Sequence, residues 1–413
     1  MNICMIVYHY YPVAAGGAEH QCRLQARALA EQGHNCRVLT VRSCFAHSSQ
    51  EDDGGVSIFR INTLQALLSC WIDLKKKRKR SAAVFKRPSC QVTRCPSGKE
   101  SEYGGMISAV VRWVNALCFM SGVSWHVWRN KKSIDILHTH VASWNAGFTA
   151  WLGARLGIPV ICKASYLPAF HDFGRSIPFS NTWRRWRNGA SFAALTDEMA
   201  NDIAANGVPA DRIHVIPNGV LIPEDACAVE RFQRVLYVGN FTQGSHHKGF
   251  DILLPAWANV AQAVPDARLV IAGGGDATPW KRLAVELKCG ESVDFVGHVT
   301  DLAPLYLSSG VFVLPSRGEG ISNALLESQS YGIPAVVSDI PGNLAVVKER
   351  RNGIVIPVED VPAFSKAIIR MLEDRELRRK MGDRARFEIT AKFSIESVAR
   401  KYELLYQTLR ATP

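Results

Sequence analysis

The chain has 413 residues, 47% of them hydrophobic, which exceeds one typical core, suits two domains of about 200 residues each, and excludes a disordered or fibrous protein. Its net charge of +12 lies entirely in residues 1–222, with 26 Lys and Arg against 14 Asp and Glu; residues 223–413 carry 23 of each. The first half is therefore expected to face an anionic partner. The eleven cysteines form no CxxC pair and no Cys/His set at ligand spacing, which excludes a disulfide framework and a structural zinc site.

The chain opens on MNICMIVYHYYPV, which lacks a basic leader and a small-residue cleavage site. It reads as a first strand, and a cytoplasmic location is expected. Short apolar runs then alternate with helical patterns, the signature of layered parallel α/β structure. In the first half strands are expected at residues 2–8, 36–41, 56–61, 134–140, 159–164 and 192–195, with a helix over Gly17–Gln32. Residues 62–133 break the scheme as a variable insert. They hold KKKRKR at Lys75–Arg80, which suits a solvated loop or an anionic leaflet, and no nucleic-acid motif accompanies it. The run Met106–Trp128 has helical spacing, but Arg112, Asn115 and His126 make it a poor membrane span. A helix packed on its own domain is expected, with an interfacial helix as the alternative.

Asn-Gly and two prolines in VIPNGVLIPEDA mark a boundary, giving an N-terminal domain at 1–222 and a second domain at 223–392. Strands of the second are expected at 234–239, 267–273, 293–297, 311–315, 334–339 and 353–358, with helices at Asp251–Val264 and Pro362–Leu372. Residues 393–413 read as a last amphipathic helix. The expected fold is α/β, two doubly wound domains facing each other across a cleft, with ligands at the carboxyl ends of the strands.

The densest chemistry lies in SRGEGISNALLESQSYGIP, Ser316–Pro334, where Glu319 and Glu327 stand eight residues apart after an apolar strand. The backbone N–H groups of Ile321, Ser322 and Asn323 between them would form a helix N-terminus suited to phosphate. A carboxylate at each end would accept hydrogen bonds from sugar hydroxyls. That set of groups asks for a nucleotide-sugar; taken alone, the spacing also fits two ordinary helix carboxylates.

EGISNALLE resembles the E-x7-E signature of retaining glycosyltransferases of family 4, which have the GT-B fold. The resemblance spans nearly the whole chain: GGAE (Gly16–Glu19), LYVGNF…HKGFDILL (Leu236–Leu254), IAGGGD (Ile271–Asp276), VDFVGHV (Val293–Val299), LPSRGEGISNALLE (Leu314–Glu327) and GIPAVVSDIPGN (Gly332–Asn343) follow in order. It implies a last helix that returns toward the N-terminal domain. It also implies catalytic roles for Glu319, on the donor sugar's hydroxyls, and for Lys248, on the leaving diphosphate. Glu327 would bind ribose, His298 would lie beside the base, and Gly16 and Gly17 would let backbone approach the diphosphate. No cofactor and no metal are implied; the nucleoside-diphosphate sugar is a co-substrate.

Two positions depart from the pattern. Asn240 stands where an Arg often follows the strand, so one phosphate cation is missing or supplied by Arg317 or Lys163. Lys163 and Ser165, in VICKAS, stand where many members have Thr and His. His138 and His140 read as structural, and His171 as a residue whose loop could reach the cleft.

The expected activity is retaining transfer of a sugar to an acceptor hydroxyl, in surface polysaccharide or glycolipid assembly, with a lipid-linked glycan at an anionic membrane as acceptor. Two alternatives stay open: a nucleotide-sugar epimerase of the same architecture, and a silent nucleotide-sugar-binding scaffold. An NAD-dependent oxidoreductase is disfavoured, because neither GGAEH nor GGGDA completes GxGxxG with an acidic residue about 20 positions on.

Overall fold

The computed structural model describes residues 1–12, 16–42, 47–64, 105–141, 144–169, 189–226, 233–241 and 245–411. The basic run Lys75–Arg80 and His171 lie outside the described residues. The chain forms two compact units. One comprises Met1–Ala194, Ile203–His214 and Tyr402–Pro413, the other Leu195–Asp202 and Val215–Lys401.

The first unit is built on eight strands: β1 (Asn2–Ile6), β2 (Asn35–Arg42), β3 (Gln50–Asp52), β4 (Val56–Asn62), β5 (Ile136–His140), β6 (Val160–Lys163), β7 (Ser191–Ala194) and β8 (Ile213–Val215). They lie in the order β3-β4-β2-β1-β5-β6-β7-β8. β1, at the centre of the sheet, is almost wholly apolar because helices cover both faces of a parallel sheet; Ile3, Cys4, Met5 and Ile6 are all fully buried. β3 pairs antiparallel with β4 and is fully exposed, so no apolar alternation marks it in the sequence. The chain winds outward from β1 in one direction and from β5 in the other, so the strand order reverses between them.

Helix Gly17–Glu31 buries Cys22, Ala26 and Leu29, spaced four and three residues apart on one face. Helix Gly105–Arg129 buries Phe119, Val123 and Val127 in the same way. Its Gly122 admits close contact, because a Cβ there would stand 2.4 Å from Ile61 Cγ2. The opposite face exposes Leu117, Trp125 and Trp128. No helix among the described residues is long and apolar enough to cross a membrane.

The second unit holds β9 (Arg234–Val238), β10 (Arg268–Ala272), β11 (Val293–Gly297), β12 (Val311–Leu314), β13 (Ala335–Ser338) and β14 (Gly353–Ile356). All its pairs are parallel, in the order β11-β10-β9-β12-β13-β14, and the order reverses between β9 and β12. Helices Phe250–Ala263 and Val361–Glu373 pack together over this sheet. Asp360 caps the second of these by accepting the Ala363 N–H at 2.9 Å.

The break before the last helix, Ile395–Ala411, is fixed by Val220. Its N–H donates to Phe393 O and its carbonyl accepts from Ile395 N–H, both at 2.9 Å.

Candidate functional site

In open parallel sheets the crevice for a ligand forms where the strand order reverses, outside the carboxyl ends of the strands. In the second unit that point lies between β9 and β12. The chain leaves β9 through Gly239 and Asn240, makes a 3-10 turn over Ser245–Lys248, and enters helix Phe250–Ala263 at Gly249. It leaves β12 through Pro315–Ser322 and enters helix Asn323–Ser330. Gly249 has φ +71°, and a Cβ there would stand 2.1 Å from Pro315 O, so only glycine lets the two loops press together.

That contact sets Lys248 beside Glu319. Lys248 Nζ donates to Glu319 Oε1, and buried Ser316 donates its hydroxyl to the same oxygen at 3.0 Å. Both bonds fall on Oε1, and Oε2 accepts nothing from the described residues. Close to the pair lies Tyr237, whose buried hydroxyl has no hydrogen-bond partner among the described residues. Burial, with the Glu319 charge second, pushes that phenol well above its ordinary pKa. The pair therefore presents one cation and one open carboxylate oxygen where the strand order reverses.

Glu319 sits in the loop and Glu327 in the second turn of helix Asn323–Ser330. Tyr306, itself buried and stacked on Tyr331 with ring centres 5.2 Å apart, donates to Glu327 Oε2 at 2.9 Å. Burial raises the Glu327 carboxyl pKa, and the Tyr306 bond opposes the rise. Between the glutamates, Ile321 turns its side chain into the core, and Ser322 occupies the N-cap position without a side-chain capping bond. Asn218 fixes this entry by donating its amide to Ile321 O at 3.1 Å and to Asn323 Oδ1 at 3.2 Å. Tyr306, Ser316 and Asn218 escape the sequence reading. Asn218 looks like a turn residue, and its partners stand more than 100 positions later.

Asn240 and His298 gather at a neighbouring point. The Gly274 N–H donates to Asn240 Oδ1 at 2.8 Å, and a Cβ on Gly274 would lie 3.6 Å from His298 Cβ. Where the family often has an arginine, this side chain pins the loop after β10. His298 is exposed. Among the described residues no hydrogen bond or ion pair joins these two to the Lys248–Glu319 pair.

Gly16 and Gly17 belong to the first unit, at the start of helix Gly17–Glu31. Gly16 is the N-cap, and a Cβ there would stand 2.1 Å from Glu19 Oε2, so the Glu19 carboxylate folds back over the loop.

Two expected sources of a further cation need correction. Arg317 makes paired bonds to Asp251 at 2.8 Å each, a third to Glu359 at 2.9 Å and a fourth to His246 O at 2.8 Å. Its guanidinium is committed to holding the two loops, not free for phosphate. Lys163 belongs to the first unit, where it lies buried beside His138 and His140.

Comparison with known proteins follows the same division. The chain matches the "Glycosyl transferase 4-like domain" over residues 16–219 and "Glycosyl transferases group 1" over residues 232–374. An uncharacterized glycosyltransferase of Haemophilus influenzae is 29% identical over 189 residues, 45% of this chain and 52% of the relative, so the match spans about half of that protein. The UDP-Gal:alpha-D-GlcNAc-diphosphoundecaprenol alpha-1,3-galactosyltransferase of Escherichia coli is 28% identical over 304 residues, 67% of this chain and 76% of the relative. Among solved structures, HepE of Anabaena in complex with UDP-glucose matches with a TM-score of 0.68 at 14% identity, covering 99% of this chain and 100% of that one. That likeness is one of fold.

Proposed function

We infer that this chain, which belongs to the glycosyltransferases of GT-B fold, moves a sugar from a nucleoside-diphosphate sugar to an acceptor hydroxyl with retention at the anomeric carbon. The observation that carries the reading is the Lys248–Glu319 pair held where the second sheet reverses its order. Glu319 accepts hydrogen bonds from the donor sugar's hydroxyls through its open oxygen. Lys248 turns from Glu319 to the diphosphate and stabilises the charge that develops as the glycosidic C–O bond breaks. Glu327, aimed by Tyr306, takes the ribose hydroxyls, and the N–H groups of Ile321, Ser322 and Asn323 face phosphate. The acceptor hydroxyl attacks the face the diphosphate leaves, and the diphosphate takes its proton. No step in this scheme requires a metal.

Thermal unfolding with UDP, GDP and ADP tests the reading. UDP, the nucleotide carried by the E. coli relative's donor, is expected to stabilise the protein by about 2.7 kcal/mol at 100 times its dissociation constant. In Lys248→Ala the UDP response should fall at least tenfold in affinity. No response to any of the three would transfer the reading to a silent scaffold. Conversion of the donor in the absence of acceptor would mean an epimerase.

The acceptor side of the proposal is a lipid-linked glycan, with the protein peripheral at the cytoplasmic face of an anionic membrane. Helix Gly105–Arg129 supports it. Trp125 and Trp128, 60% and 54% exposed with ring centres 5.4 Å apart, stand beside Arg129, Lys131 and Lys132. Indole rings next to basic residues suit the headgroup layer. Co-sedimentation with vesicles containing anionic lipid should fall severalfold in the double variant Trp125→Ser, Trp128→Ser. Equal binding by the variant and the parent chain would remove this helix as the anchor.

A further inference from the structure

Lys163 ends β6 in register with His140, which ends β5, next to the point where the first sheet reverses its order. It is 2% exposed, and the strand before it is as closely buried, with Val160 at 4% and Ile161 and Cys162 at 0%. Around it stand Cys22 from helix Gly17–Glu31, His138 and His140 from β5, and Tyr402 from helix Ile395–Ala411. Its ammonium lies 5.9 Å from the Tyr402 ring and makes no hydrogen bond or ion pair with a described residue.

The surroundings repeat the imbalance. His138 Nδ1 lies 2.6 Å from the Tyr406 hydroxyl, and Gln25 donates to that hydroxyl at 3.1 Å. His138 Nε2, both ring nitrogens of His140, Thr139 Oγ1 and the Tyr402 hydroxyl are buried without a partner among the described residues. Burying a lone ammonium costs several kcal/mol, and each orphaned polar group adds about 1–3 more. A core that needed only filling would hold Met or Leu here. The cluster is rich in donors, lies at the carboxyl ends of parallel strands, and belongs to the half of the chain that carries the whole +12 charge.

We propose that Lys163, His140 and Tyr402 form a phosphate-binding site in the first unit, and that the phosphate it takes is one carried by the acceptor. The second clause rests on the glycosyltransferase reading. The ammonium supplies the charge, while the His140 ring and the Tyr402 hydroxyl supply directed hydrogen bonds to its oxygens. The acceptor is then a phosphorylated molecule.

The test is thermal unfolding in saturating UDP, which occupies the donor site, with inorganic phosphate or octyl phosphate titrated at constant ionic strength. Both phosphates should raise the midpoint of the parent chain, octyl phosphate at equal or lower concentration. Lys163→Met should lose at least tenfold in affinity for each, with the UDP response intact. His140→Asn, which leaves the lysine in place, should lose affinity in the same direction. Equal phosphate responses in parent and variants, or none in the parent, would overturn the site. A response to inorganic phosphate alone would overturn the acceptor assignment. A missing UDP response would count against the glycosyltransferase reading and leave the phosphate comparison readable.

Discussion

Glu319→Ala and Lys248→Ala each lower the turnover of sugar transfer by at least about a hundredfold, the loss expected when a group aimed at developing charge is removed. The two variants differ in cause. Without Lys248 the leaving diphosphate carries its charge uncompensated, so turnover falls and the affinity for nucleoside diphosphate falls with it. Without Glu319 the sugar hydroxyls lose their acceptor, while Lys248 becomes free for phosphate, so UDP binding is kept or improved. The side chains are 24% and 10% exposed, so removing either partner also costs about 1–3 kcal/mol of stability, and the rates are read well below the unfolding midpoint of each variant. Initial rates of UDP release from a UDP-sugar and UDP titrations on both variants check this. Rates near those of the parent chain would remove the pair from the reaction.

Lys163→Met makes the protein more stable at pH 7. Burial pushes the Lys163 ammonium down to about 8 from its ordinary 10.5. Below pH 8 both folded and unfolded chains hold the proton, and the fold bears the full penalty. Between pH 8 and 10.5 the unfolded chain binds more protons than the folded one, so the parent's stability rises with pH across that window. Replacing a buried charge with an apolar side chain of similar length should add about 1–4 kcal/mol at pH 7. The advantage should shrink as pH passes from 8 to 10.5. Chemical unfolding of both chains at pH 7 and pH 10 reads it, and an unchanged or lower midpoint for the variant at pH 7 would sink the prediction.

The opposite limb belongs to the histidines. Burial holds His138 down near 3 and His126 near 4. As pH falls below 6.5 the unfolded chain gains protons that the folded one refuses, and stability declines toward those lower values.

The apolar strands were legible because burial on both faces of a parallel sheet leaves runs such as NICMI and VFVL with almost nothing polar in them. β3, with Gln50, Glu51 and Asp52 on an exposed edge, carries no such mark. Glu319, Lys248 and Glu327 were legible from ordered motifs. The residues that aim them were not, because Tyr306 reads as one more aromatic in an apolar stretch and Asn218 as half of an Asn-Gly turn. Arg317 shows the converse. Its charge and its place before the EGIS loop suggest a phosphate ligand, and only the folded chain brings Asp251 and Glu359 to it. Lys163 was visible as a departure from a pattern, but its burial depends on helices that begin at positions 17 and 395.

The first unit includes Tyr402–Pro413, and its His138–Gln25 corner is completed by Tyr406. A ribosome makes that tyrosine only after every residue of the second unit has been joined. An N-terminal domain ordinarily folds as it emerges, but this one reaches the tunnel exit with Gln25 and His138 still lacking their partner. That corner of its interior closes last, so a chain that stops short of Tyr406 keeps Gln25 and His138 without that hydroxyl.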